Sequence, residues 1–219
     1  MNTSAEWIWT ATPARPDEHA EFYTKFELSD INEPVELLIS ADSDYGVYIN
    51  GKLAAHGQYA DYPHYKVYDR IDVTEYLRRG ENTLAFEVWY YGVNGLMTYI
   101  KGDAGLWFEL VCGDEVLVAS GREVLSRISR CYLNYREKLI TNQLGFTYAY
   151  DARYEDDWKV CGGSDFAFSA EQTEREVPTF LRPIKRLVTE PPIRGELIKR
   201  EGKRYLFDFG KEIVGIYRI

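Results

Sequence analysis

The sequence predicts an all-β protein: an antiparallel β-sandwich, then a connector and the first strands of a second β domain. Three observations carry that expectation. Eighteen Tyr, ten Phe and five Trp in 219 residues favour pleated, half-buried surfaces over helices. Short apolar runs alternate with period two between Gly-containing turns, which is the strand pattern. The C-terminal stretch RYLFDFGKEIVGIYRI reads as a strand, a turn at Gly210 and Lys211, and a second strand from Ile213. A two-stranded unit is marginal in water, so that ending needs more sheet to lie against.

The elements follow in order. After WIW at Trp7 to Trp9 and turns at Pro13 and Pro16, AEFYTKFELS sets Phe22, Thr24, Phe26 and Leu28 against Tyr23, Lys25 and Glu27, a strand with one buried face. VELLISAD supplies the next strand. In DYGVYINGKLAAHG, Asn50 and Gly51 can take the two positive-φ positions of a type I′ turn, joining Tyr45 to Ile49 with Lys52 to Ala55 in a hairpin. IDVTEYLRRG carries a short helix signal: Asp72 as cap, Glu75 to complete a capping box, and Gly80 as the stop. Thr83 to Trp89 alternates again, and GLWFELVCGDEVLVASG predicts a hairpin turning near Gly113 and Asp114. Between Arg122 and Tyr150 a strand is predicted only for Phe146 to Tyr150.

Composition shifts after Trp158. CGGSDFAFSAEQTEREVPTF is polar, LRPIKRLVTEPPIRGEL holds three prolines that cannot donate in a central strand, and alternation returns at Tyr205. The expected division is a β-sandwich at 1–165, a basic Pro-containing connector at 166–203, and an incomplete second sandwich at 204–219.

A formal charge of -9 opposes a general role on nucleic acid or anionic membrane, which both need a cationic surface. Eight basic and three acidic residues from Arg182 to Arg204 fit a cationic connector crossing its own acidic domain. No stretch has the length of a membrane span, and MNTSAEWIWT lacks the charged and apolar regions of a signal peptide. Cys112, Cys131 and Cys161 are odd in number and form no CxxC pair, as expected of reduced thiols in a cytoplasmic protein.

Standard catalytic spacings are missing. His19, His56 and His64 make no HExxH, no His and Cys pattern suits zinc, and GGSDF around Ser164 lacks the second glycine of a nucleophile elbow. Neither a metal nor a cofactor is expected. Asp42 and Asp44, or Asp151, Glu155, Asp156 and Asp157, could supply two carboxylates for glycoside chemistry, but Asp in SDYG is ordinary turn chemistry. No catalytic residue is assigned. The remaining candidates are sugar-contacting: Tyr62, His64 and Tyr65 in one loop, and Trp89, Tyr90, Tyr91 and Asn94 at a strand end. Flat aromatic faces pack on apolar sugar faces while Asn and His bond hydroxyls. Alternating aromatics in strands are more often core, the reading favoured for Trp89, whereas loop tyrosines lie nearer the surface.

LLISADSDYGVYINGK with YDRIDVTEYLRRGENTLAFEVW resembles the N-terminal β-sandwich region of bacterial α-L-rhamnosidases, glycoside hydrolase family 78. TNQLGFTYAYDARYEDDW resembles that family's segment with QLGF and DAR before an acidic-Trp end, and YLFDFGKEIVGIYRI resembles the strand opening its next sandwich. The resemblance implies a jelly-roll, galactose-binding-like sandwich. It also implies a parent polypeptide that hydrolyses terminal α-L-rhamnosides with inversion in a downstream (α/α)₆ barrel, which becomes the partner of this region, with rhamnose-containing glycans as further partners. No position here matches the family's catalytic glutamates. The alternative is a self-sufficient carbohydrate-binding module.

Overall fold

The computed structural model describes residues 4–57, 61–96, 99–135, 138–172, 178, 180–186 and 190–213. The chain divides into two compact units, Met1–Arg186 and Leu187–Ile219. In the first, strands β1 (Ile8–Trp9), β2 (Glu18–Leu28), β3 (Val35–Asp42), β4 (Asp44–Ile49), β5 (Lys52–Gly57), β6 (Val67–Asp72) and β7 (Gly80–Tyr90) run through the first half. They are followed by β8 (Gly105–Cys112), β9 (Glu115–Ala119), β10 (Leu125–Ile128), β11 (Ala167–Phe168), β12 (Ala170–Glu171) and β13 (Phe180–Leu181). One sheet has the order β12-β1-β8-β3-β6-β13, with β9 also pairing β8; the other has the order β11-β10-β2-β7-β4-β5. The result is an all-β sandwich, antiparallel except where β13 joins β6.

Strand parity places the core between the sheets. Phe22, Phe26 and Leu28 of β2 and Leu84, Phe86 and Val88 of β7 share one buried cluster with Leu37, Ile39, Leu106 and Phe108 of the facing sheet. The Phe86 and Phe108 rings meet across it at 4.4 Å. Each such side chain contributes about 1.5–3 kcal/mol on burial. Asn50 and Gly51 do take positive φ, 51° and 77°, at the turn joining β4 to β5.

The short helix becomes a single 3-10 turn, Thr74–Tyr76. The cap position falls to Val73, which makes no side-chain cap bond, so Asp72 stands one residue earlier than expected, its Oδ1 accepting from the Thr74 amide at 3.0 Å and hydroxyl at 2.6 Å. Propagation stops because Asn82 takes over the next backbone groups. Its Oδ1 accepts from Arg78 N at 3.0 Å, and its Nδ2 donates to the carbonyls of Arg78 and Gly80 at 2.6 and 2.9 Å.

No strand forms at Phe146 to Tyr150, and β10 appears instead at Leu125–Ile128, paired with Ala20 to Tyr23 of β2. Residues 129–135 and 138–166 form a strap over the outer face of the second sheet. A segment crossing a face has no strand edge to ladder with, so its backbone groups pair locally. Leu133 N donates to Ala149 O at 2.9 Å, Asp151 N to Cys131 O at 2.8 Å, and Gly145 N to Thr141 O at 2.9 Å.

Beyond residue 165 the chain continues to pair with the sandwich. β11 joins β10, β12 joins β1, and β13 lies parallel to β6. In the second unit, β14 (Glu196–Glu201) and β15 (Arg204–Asp208) form a hairpin around Gly202, φ 59°. The strand predicted from Tyr205 therefore exists, but its observed partner precedes it. The expected following strand, beyond Ile213, lies outside the described residues.

Candidate functional site

Alternation separates the predicted strand-end aromatics. Tyr90 points into the sandwich, buried, its hydroxyl donating to Gly102 O at 2.8 Å. Trp89 and Tyr91 point outward. Trp89 donates its indole N–H to Asp17 Oδ1 at 3.2 Å, and its ring lies edge-on to Tyr91 at 5.4 Å. Tyr91 also packs edge-on against Tyr99 and Phe146, each at 5.1 Å. Exposed Asn94 accepts from Lys101 N at 2.9 Å.

The loop residues are more open. Tyr62 is 53% exposed, its ring 5.6 Å from that of His64. Tyr65 is 47% exposed but stacks on Phe180 at 4.6 Å, so part of its role is to hold the chain after residue 165.

Asp42, at the end of β3, ties the two groups together. It accepts from the Tyr99 hydroxyl at 2.5 Å and from Ser43 Oγ at 3.2 Å, and Lys66 Nζ stands 3.8 Å away. Lys66 in turn reaches Asp61 at 2.5 Å and Ala41 O at 3.2 Å. Burial and then the Asp42 charge push the Tyr99 phenol up, which keeps it a donor. This cluster is a pillar joining residues 42–44, 61–66, 91–96 and 99–102 at one end of the sandwich. Its interior groups are engaged with one another, and Tyr62, His64, Asn94 and one side of Tyr65 are presented to solvent.

A second polar assembly, which the sequence reading missed, lies beneath the strap. Glu21 and Glu87 are cross-strand partners, and Arg127 pairs with Glu21 from the next strand. Arg127 Nε donates to Glu21 at 2.6 Å, while its two terminal nitrogens reach Asp156 at 2.9 and 3.0 Å and Asp165 at 2.8 Å. Ser129 Oγ donates to the other Glu21 oxygen at 2.6 Å. Burial pushes the Glu87 carboxyl above the usual carboxylate range, opposed by Lys159 and by the Tyr132 hydroxyl. Beside them His19 is sandwiched between Tyr132 at 3.8 Å and Trp89 at 5.8 Å, and burial lowers its pKa to about 3, so it is neutral. Strand parity was the available signal: Glu21 and Glu87 occupy outward positions, Glu21 between His19 and Tyr23 and Glu87 between Ala85 and Trp89, a face whose aromatics need covering.

Of the acidic residues weighed for catalysis, Asp156 pairs with Arg127, Asp151 with Arg153 at 2.5 Å, and Glu155 accepts from the Tyr150 hydroxyl at 2.7 Å. Hydrogen bonds from Arg153 hold Asp151 down to about 2. These are anchoring roles. Among the described residues no group of three His, Cys, Asp or Glu side chains is arranged to hold a metal ion, and no helix is long and apolar enough to cross a membrane.

The two sheets and the strap define a strapped antiparallel β-sandwich. Solved structures similar to it include α-L-rhamnosidases. The GH78 family rhamnosidase of Bacillus sp. GL1 superposes with a TM-score of 0.72 at 28% identity, over 78% of this chain and 18% of that one. The α-L-rhamnosidase of Aspergillus terreus gives 0.60 at 22% identity over 77% and 21% of the two chains, and that of Dictyoglumus thermophilum 0.58 at 18% over 78% and 21%. The chain spans about a fifth of the length of each of these proteins. No family model and no curated protein matches it.

Proposed function

We propose that this chain is the non-catalytic N-terminal β-sandwich portion of an α-L-rhamnosidase-like glycoside hydrolase. The observation that carries the reading is the superposition on the Bacillus rhamnosidase, good over most of this chain and confined to a small part of the other. In this reading a downstream (α/α)₆ barrel of the same polypeptide hydrolyses terminal α-L-rhamnosides with inversion, and the sandwich supports it. A basic connector followed by an incomplete second sandwich belongs to the same proposal, with its start moved from residue 204 back to β14. Its support is the β14–β15 hairpin, whose Leu197, Ile198, Tyr205, Leu206 and Phe207 are each about half exposed. A cytoplasmic location is part of the proposal, on the strength of three free thiols.

The test is to isolate the native polypeptide from source cells with an antibody against this chain and assay it on an aryl α-L-rhamnoside. Release of L-rhamnose is expected from the native protein and none from the 219-residue chain alone. A native protein of greater length that releases no L-rhamnose sinks the substrate assignment. The carbohydrate-binding alternative is favoured by the exposure of Tyr62 and His64.

A further inference from the structure

On the outer face of the second sheet, Gly46, Glu87, Glu21 and Arg127 form one cross-strand row through β4, β7, β2 and β10. Trp89 and His19 flank it on one side, with Tyr132 stacked on His19. Tyr48, Ala85 and Tyr23 flank it on the other, beneath Trp158 and Phe166. The strap packs closely on both aromatic rows. Over the middle row a cavity of about 170 Å³ remains, lined by Glu21 and Glu87 from the sheet. Tyr132, Tyr150, Trp158 and Lys159 are among its walls. On that measure a single water needs only about 10–15 Å³, so the space holds several waters or one small solute.

Two carboxylates directly opposite on adjacent strands repel, and a packed apolar pair there would hold the strap at lower cost. Arg127 and Ser129 engage Glu21 fully. Glu87, facing the cavity with the Tyr132 hydroxyl and Lys159, is the member that packing alone does not require. The lining excludes most ligand classes. Glu21, Glu87, Glu155 and Asp156 repel an anion. The aromatic faces that would receive an organic cation already hold Lys159, whose Nζ lies 4.6 Å over Tyr48 and 5.1 Å over Trp158. Acceptor carboxylates, one ammonium donor and phenolic rings around one volume suit hydroxyl groups.

We propose that this cavity binds a neutral polyol of monosaccharide size, with Glu87 and Glu155 accepting from its hydroxyls and Lys159 donating. The site involves no residue of the Tyr62 loop, and it stands whether or not the rhamnosidase reading does.

Amide NMR spectra of the full chain, titrated separately with L-rhamnose, D-glucose, myo-inositol and tetramethylammonium chloride at millimolar concentrations, test it. Saturable shifts at Glu21, Glu87, Tyr132 and Lys159 with at least one of the three polyols are expected, and Glu87→Gln should weaken that binding about tenfold or more. Should Glu87→Gln lose its dispersed spectrum, Lys159→Met carries the same expectation. Absence of saturable shifts with all three polyols overturns the proposal. So do polyol shifts confined to Tyr62, His64 and Tyr65, or a response to tetramethylammonium alone.

Discussion

Arg127→Met is expected to destabilise the sandwich by about 3–5 kcal/mol, the cost of removing one partner from a buried ion pair. At this chain length that corresponds to a fall of roughly 10 °C in melting temperature. The physical reason is Glu21. Its carboxylate is 2% exposed and loses a charge-assisted bond of 2.6 Å, so a buried negative charge is left with Ser129 and faces Glu87 across the strand pair. Asp156 and Asp165 are more exposed and recover part of their loss by solvation. Adding Glu21→Gln should restore much of the stability, because the penalty lies in the orphaned charge. A single variant that melts within about 2 °C of the parent would show that the strap is not held through this arginine.

The same arginine gives the pH dependence a definite sign. Its hydrogen bonds hold the Asp156 carboxyl below the usual carboxylate range, so the stabilisation is complete above the unfolded value and is lost as pH falls through the folded one. Burial raises Glu87 instead, so its contribution favours the fold at low pH and is lost as pH rises through its folded value. In Arg127→Met the Asp156 part should disappear and the Glu87 part persist. Acid titration of the two proteins by circular dichroism would separate them.

The strands that build the core were legible because each carries its own evidence. Phe22, Phe26 and Leu28 alternate within β2, and Asn50 and Gly51 announce their turn locally. The strap was not, since what fixes it is a row of Glu87, Glu21 and Arg127, residues far apart in sequence that meet only after β2, β7 and β10 have paired. The alternation from Phe146 to Tyr150 misleads for a related reason: Phe146, Tyr148 and Tyr150 alternate, but on a face with no edge to extend, so only the Tyr132 and Tyr150 bridge forms there. Of the candidate aromatics, Trp89, favoured for the core on sequence, lies instead on the outward parity with Tyr91, while Tyr90 between them turns into the interior. What parity could not supply is that Tyr65 would find Phe180, a residue supplied from 115 positions further along.

Arg182→Met should cost a similar amount, about 3–5 kcal/mol, through an unrelated buried charge. Arg182 Nε donates to Asp69 Oδ1 at 2.6 Å, and both side chains are almost wholly buried. Asp69 keeps only the Tyr45 hydroxyl at 2.6 Å among the partners identified for its carboxylate. The arginine also fixes β13, because its own amide donates to Tyr68 O at 2.9 Å, one residue beyond the parallel pairing of Leu181 with Tyr68. Ending the chain at residue 165 removes this pair together with β11 and β12, so the loss should exceed that of the point variant. A chain ending at Arg186 keeps all three strands and should melt cooperatively near the parent temperature, with improved solubility once the half-exposed β14–β15 hairpin is gone. Equal melting of the 1–165 and 1–186 chains would mean that the Asp69 carboxylate tolerates burial without its arginine and that the sandwich closes without β13. That outcome would place the functional boundary of the domain at the end of the strap, where the change in composition suggests it, and leave residues 166–186 as a tether laid on a completed fold.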